Sequence, residues 1–274
     1  MKRTLIPLAL IAGLSAVALA QGRGGAAQPV PPPRSPQAAS PVDLTGYWAS
    51  AITEDWRFRM VTPPKGDYAS VPLNADGTKA ADGWDPAKDI AGGEQCRAFG
   101  AAGVMRLPVR LHITWQDEKT LKVEIDNGNQ VRLFHFDKLA PAPASPDWQG
   151  LSLADWETVQ QSQGLAPAAG GRGNGGVVPT ALSGSLKVVT TKMKPGYLRR
   201  NGVPYSGNGV LTEFFDRTNE PNGDSWLILT SVVDDPAYLN LPFMLTTQFK
   251  REPDGSKFKP RPCEITPPVV GTGN

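Results

Sequence analysis

Histidine and cysteine are scarce here, two of each in 274 residues. Two Cys exclude a zinc ribbon or a disulfide-dense small scaffold. His112 and His135 have no Cys or Glu at zinc-ligand spacing beside them, so no metal site is expected. A surplus of one charge sign is missing too. Twenty-eight Lys+Arg face 26 Asp+Glu, a formal charge of +2, which leaves no basic footprint for nucleic acid. Beyond residue 20 no apolar run approaches the roughly 18 residues of a membrane span. The chain also lacks a Gly-x-Ser-x-Gly elbow, a Ser-x-x-Lys motif, a His-Glu-x-x-His pair and a phosphate loop. Gly170-Gly171-Arg172-Gly173 follows no strand and opens no helix, so it is no dinucleotide site. No cofactor is implied.

What is present begins with an address. Lys2 and Arg3 precede an apolar stretch from Leu5 to Leu19, and Ala18-Leu19-Ala20 supplies small residues at the cleavage positions. That order predicts a signal peptide over 1–20, cut after Ala20, and a periplasmic or secreted protein. An uncleaved anchor is the other reading. Export would place Cys96 and Cys263 in an oxidising compartment, where the only pair available is expected to bridge. Two free thiols are the alternative. Residues 21–41, rich in Pro, Gly and Ala, read as a flexible linker. A single domain is expected over 42–265, with a disordered Gly-rich insertion at about 162–180 and a flexible tail over 266–274. Leu139 to Pro146 forms a further Pro/Ala-rich loop.

The folded part reads as β. Val109 to Trp115 and Leu121 to Ile125 alternate apolar and polar, and Asn127-Gly128 signals a hairpin into Val131 to Phe136. Further runs are Leu186 to Met193, Val210 to Arg217, Trp226 to Val233 and Phe243 to Arg251. Tyr47 to Ile52 and Trp56 to Val61 bring the expected count to about nine strands. Helix is expected only briefly, around Gly93 to Gly100 and from Ser152 as N-cap. The resulting class is all-β: an antiparallel meander barrel with one or two short helices, or alternatively a β-sandwich.

Few residues could carry chemistry. His112, Glu124 and Arg132 fall on one face of adjacent strands in a simple register and could share a pocket. His135 would then point to the apolar side with Val131 and Leu133. An unrelated exposed or hydrogen-bonded histidine is the plainer reading of each. Glu213, flanked by apolar residues, would need a partner such as Arg132 or Arg217 if buried. Asp55, Arg57 and Arg59 alternate with Trp56 and Phe58, which suggests a solvated outer face with weak ion pairs. Asp234-Asp235-Pro236 reads as a turn, because it lacks the oxygen-ligand series of a calcium loop. Trp48, Trp56, Trp115 and Trp226 are the candidate ligand-binding aromatics. Trp84, in the turn-rich Asp82 to Pro86, is expected to contribute little to stability.

Leu44-Thr45-Gly46-Tyr47-Trp48 resembles the opening strand of lipocalin-type barrels. That resemblance implies a Trp plugging one end of the barrel, with Lys250 or Arg251 lying across it. A broader likeness rests on DLTGYW (43–48), LHITW (111–115), WQGLSLADWE (148–157), LTEFFDR (211–217) and DDPAYLNLPF (234–243). On these segments the chain resembles an uncharacterised family of secreted bacterial β-rich proteins. Gly/Ala-rich material from 162 to 176 departs from that family's pattern. The likeness implies fold and export, not chemistry. The functional expectation is an exported protein holding a small apolar or aromatic molecule in a barrel cavity. The alternatives are a cofactor-independent lyase, isomerase or hydrolase on the same scaffold, and a periplasmic structural or interaction module.

Overall fold

A computed structural model describes residues 34–160 and 182–269. The expected signal peptide, most of the linker and the expected Gly-rich insertion lie outside these residues. Nine strands close into a barrel. They are β1 (Gly46–Ala51), β2 (Arg110–Asp117), β3 (Thr120–Ile125), β4 (Gln130–His135), β5 (Leu151–Gln160), β6 (Leu182–Thr191), β9 (Val210–Asn219), β10 (Ser225–Asp234) and β11 (Phe243–Glu252). The short strands β7 (Gly196–Arg199) and β8 (Val203–Tyr205) form a separate hairpin. Around the wall the order is β1-β11-β10-β9-β6-β5-β4-β3-β2, and β1 pairs with both β2 and β11. The expected all-β barrel is therefore present. It departs from a simple meander, because β4 and β5 run parallel, joined at Phe134↔Ser152 and His135↔Leu153.

The interior is filled by alternating side chains: Leu111 and Ile113 from β2, Leu121 and Val123 from β3, and Phe134, Leu186, Phe215, Leu229 and Phe249 further round. At one end Trp48 is fully buried, and its indole N–H donates to the Leu44 carbonyl at 3.0 Å. The Arg251 guanidinium lies 5.7 Å from its ring centre and that of Arg217 lies 5.9 Å away. Arg251 thus takes the place expected of Lys250 or Arg251, and Lys250 instead lies over Trp226 and binds Asp224. Gly46, at φ 117°, lets the Arg251 side chain pass close by; a Cβ there would stand 3.3 Å from its guanidinium.

Short helices cap the other end, where the sequence predicted only one or two. They are α1 (Trp56–Arg59), α2 (Ala75–Asp82), α3 (Pro86–Ala91), a 3-10 turn (Gln95–Phe99) and α4 (Ala101–Val104). Asn74 and Asp85 cap α2 and α3 through their side chains, with Pro86 opening α3. Two expectations fail here. Trp56 to Val61 is not a strand: α1 buries Phe58 and Arg59 while Trp56 and Met60 stay exposed. Neighbours on a helical arc, rather than alternate residues, therefore share the buried face. Ser152 does not cap a helix either. It faces the barrel interior from β5, which pairs with β6 from Leu151 to Gln160 and overrides the local capping signal.

Cys96 and Cys263 form a disulfide. The chain after β11 crosses the capped end as a strap. Gly128 N–H donates to the Arg261 carbonyl at 3.0 Å, and Val269 N–H donates to that of Thr62 at 3.0 Å. Residues 266–269, expected in a flexible tail, are thus seated. So is the end of the expected linker, where the Trp156 indole donates to the Pro36 carbonyl at 2.9 Å. Among the described residues no helix is long and apolar enough to cross a membrane.

Candidate functional site

The sequence-derived candidates are dispersed. His112 sits on the outer wall, stacked on Tyr47 with ring centres 4.2 Å apart, and its Nδ1 is 2.9 Å from Glu124 Oε2. Lys122 Nζ reaches the same carboxylate oxygen at 3.2 Å. Arg132 does not join them. β4 pairs Arg132 with Val123 and Val131 with Glu124, which turns Arg132 inward and Val131 outward. Val131 is 47% exposed, so the face holding His135 is the outer one. The expected apolar assignment is inverted, because the buried residue of this strand is an arginine and the exposed one a valine.

Inside the barrel, Arg132 meets the expected partner Glu213 in a two-pronged ion pair, Nη1–Oε1 2.9 Å and Nη2–Oε2 2.6 Å. Arg132 Nη2 also donates to Thr190 Oγ1 at 3.2 Å, and Thr190 and Ser152 hydroxyls bond at 2.8 Å. These residues are buried and form a polar band across β4, β5, β6 and β9, just below the cap. Tyr205 of β8 covers it. Burial raises its phenol pKa, with the Arg132 charge acting in the opposite direction. Arg132 Nε and the Tyr205 hydroxyl are buried there with no partner among the described residues.

The four candidate tryptophans do not converge on one cavity. Trp48 is the buried plug, Trp56 is 66% exposed on α1, and Trp226 lies under Lys250. Trp115 joins Phe136 and Trp156 in an aromatic cluster near the end plugged by Trp48.

A cleft of 260 Å³ opens instead in the cap, between α2, α3 and the β7–β8 hairpin. Trp84, Tyr197, Tyr205 and Tyr238 line it, with Asp85 and Lys88 from the start of α3. Trp84 overturns the expectation drawn from its turn-rich setting: it is 4% exposed and donates its indole N–H to Asp89 Oδ2 at 3.2 Å. The Asn201-Gly202 turn packs directly on it. Gly202 has φ 83°, and a Cβ there would stand 2.3 Å from the Trp84 side chain, so only glycine fits.

Asp89 anchors the cleft wall. It accepts from Tyr197 OH at 2.8 Å and Arg97 Nη1 at 3.0 Å, while Arg97 Nη1 also donates to the Tyr197 oxygen at 3.0 Å. Burial, reinforced by the Asp89 bond and opposed by Arg97, pushes the Tyr197 phenol up to about 12. Burial pulls Arg97 down, yet its bond to Tyr197 and the charges of Asp89 and Glu94 hold it above the usual arginine value. Beyond this wall a second hollow of 10 Å³, lined by Glu94, Phe99, Arg200 and Ile265, has room for about one water. Neither histidine lines the cleft. Its acid and base satisfy one another, so it offers aromatic surface and a rim of charge rather than an activated nucleophile.

Sequence reasoning passed over this site. The signals were the N-cap Asp85 before Pro86 and Asn201-Gly202, which position Trp84 and Tyr197. Among the described residues no group of His, Cys, Asp and Glu could hold a metal. Comparison with family models, curated proteins and solved structures returned no match.

Proposed function

We propose that the protein is an exported small-molecule binding protein whose ligand, a single aromatic ring with short substituents, occupies the cleft in the cap. This moves the expected site off the barrel axis, where Phe134, Leu186, Phe215 and Phe249 fill the interior. The observation that carries the reading is the cleft itself, walled by Trp84, Tyr197, Tyr205 and Tyr238. At 260 Å³ it falls just below the roughly 300–1,000 Å³ usual for ligand sites, which sets the one-ring limit. Aromatic walls favour offset or edge-on contact with such a ring. The Asp89–Arg97–Tyr197 bonds hold the wall in place before a ligand arrives. Export rests on the residue order of 1–20 and is supported by the disulfide.

The test is a thermal-shift screen against single-ring aromatic compounds. A ligand at 100 times its Kd should stabilise by about 2.7 kcal/mol. Tyr238→Ala should abolish the response and Trp226→Ala should preserve it. A flat response across the library would remove this reading.

A further inference from the structure

At the capped end four neighbouring arginines outnumber their carboxylate partners by one. Arg57 and Arg59 come from α1, Arg106 follows α4, and Arg199 ends β7. They meet: Arg59 Nε donates to the Arg106 carbonyl at 2.9 Å. The Arg199 and Arg57 guanidiniums lie 3.9 and 4.4 Å from the centre of the Phe58 ring. Three of the four are deeply buried, Arg59 at 1%, Arg199 at 3% and Arg106 at 6% exposure.

Three carboxylates serve them. Glu54 binds Arg59 Nη1 at 2.6 Å, Asp55 binds Arg106 Nη2 at 3.1 Å, and Asp67 binds Arg57 Nη2 at 2.8 Å. Among the described residues Arg199 has no carboxylate in contact; its Nη1 donates to the Ala69 carbonyl at 2.7 Å. Its Nε and Nη2, together with Arg59 Nη2, are buried and have no acceptor among the described residues. Both Arg106 and Arg199 are held down to about 10, first by burial and then by a neighbouring guanidinium. A buried cation whose donors go unpaired is costly to fold around. A water could accept one of these bonds but would leave the extra positive charge uncompensated.

We propose that Arg59, Arg106 and Arg199 form a binding site for a small oxyanion, which supplies both the missing acceptor atoms and the missing negative charge. The planar guanidinium fork matches the paired oxygens of a carboxylate, phosphate or sulfate, and does not match a spherical halide. Glu54 and Asp55 are the more exposed members of the cluster, with side chains 43% and 33% accessible. They form its rim, and the unpaired Arg59 Nη2 and Arg199 Nε and Nη2 are the donors the anion would take. The site is independent of the aromatic cleft.

The experiment compares melting temperature and calorimetric binding of the purified protein in phosphate, sulfate, acetate and chloride at matched ionic strength. At least one oxyanion should raise the melting temperature saturably above the chloride baseline, and the arm that does so identifies the chemistry. Arg199→Gln should weaken that anion at least tenfold, whereas Tyr238→Ala, in the cleft, should leave it unchanged. Should Arg199→Gln not fold, Arg199→Lys keeps the charge without the fork and should weaken binding in the same direction. Equal shifts in oxyanion and chloride, or wild-type affinity in the Arg199 variant that folds, would overturn the site.

Discussion

At the scale of single residues, burial separates tryptophans that look alike in the sequence. Trp48 and Trp84 are 0% and 4% exposed, and Trp56 is 66% exposed. Truncating a buried Trp to Ala costs about 3–5 kcal/mol. Trp48→Ala and Trp84→Ala should therefore both lower the urea midpoint sharply, while Trp56→Ala should stay within about 0.5 kcal/mol of wild type. Tyr197 makes a pH-dependent prediction. The pKa of its phenol rises from the ordinary value of 10.0 to about 12 on folding, so the stability it lends is fully present below pH 10 and is lost as pH climbs towards 12. Alkaline unfolding of wild type should fall more steeply over that interval than that of Tyr197→Phe. Equal slopes would show that the phenol's surroundings do not hold its proton.

Among elements, strands with strict alternation were legible and those that depend on distant partners were not. β2, β3 and β4 follow from apolar spacing and from Asn127-Gly128, because each pairs with a neighbour in sequence. β5 carries a helix-capping signal at Ser152, and its ladder is completed only by β6, across an interruption of some twenty residues. α1 looks like a strand in the sequence, since its four residues cannot display a helical period. The candidate pair Arg132 and Glu213 was legible as a need for partners, but its location was not. Their bond ties β4 to β9 across two intervening strands, β5 and β6. Glu213→Gln would leave the guanidinium buried without its counter-charge, and should cost about 3–5 kcal/mol. The double variant Arg132→Leu/Glu213→Leu should recover most of that loss in urea unfolding. Failure of the double variant to recover would mean that the pair also specifies the inner packing.

On the scale of the whole molecule, the Cys96–Cys263 bridge spans 167 residues. The chain-entropy treatment assigns a loop of that length about 5 kcal/mol. Comparing urea midpoints of oxidised and reduced protein should show a loss of that order, with the barrel retained if Trp48 fluorescence stays buried.

Closure of the barrel has a consequence for when the protein can fold. β1 lies between β2 and β11, and the guanidinium over Trp48 comes from Arg251. A chain emerging N-terminus first from a ribosome holds an incomplete wall until its last strand arrives. Contacts this distant in sequence make folding slow. The order of the strands therefore works as a timer, committing the chain to the native state only near the end of its synthesis.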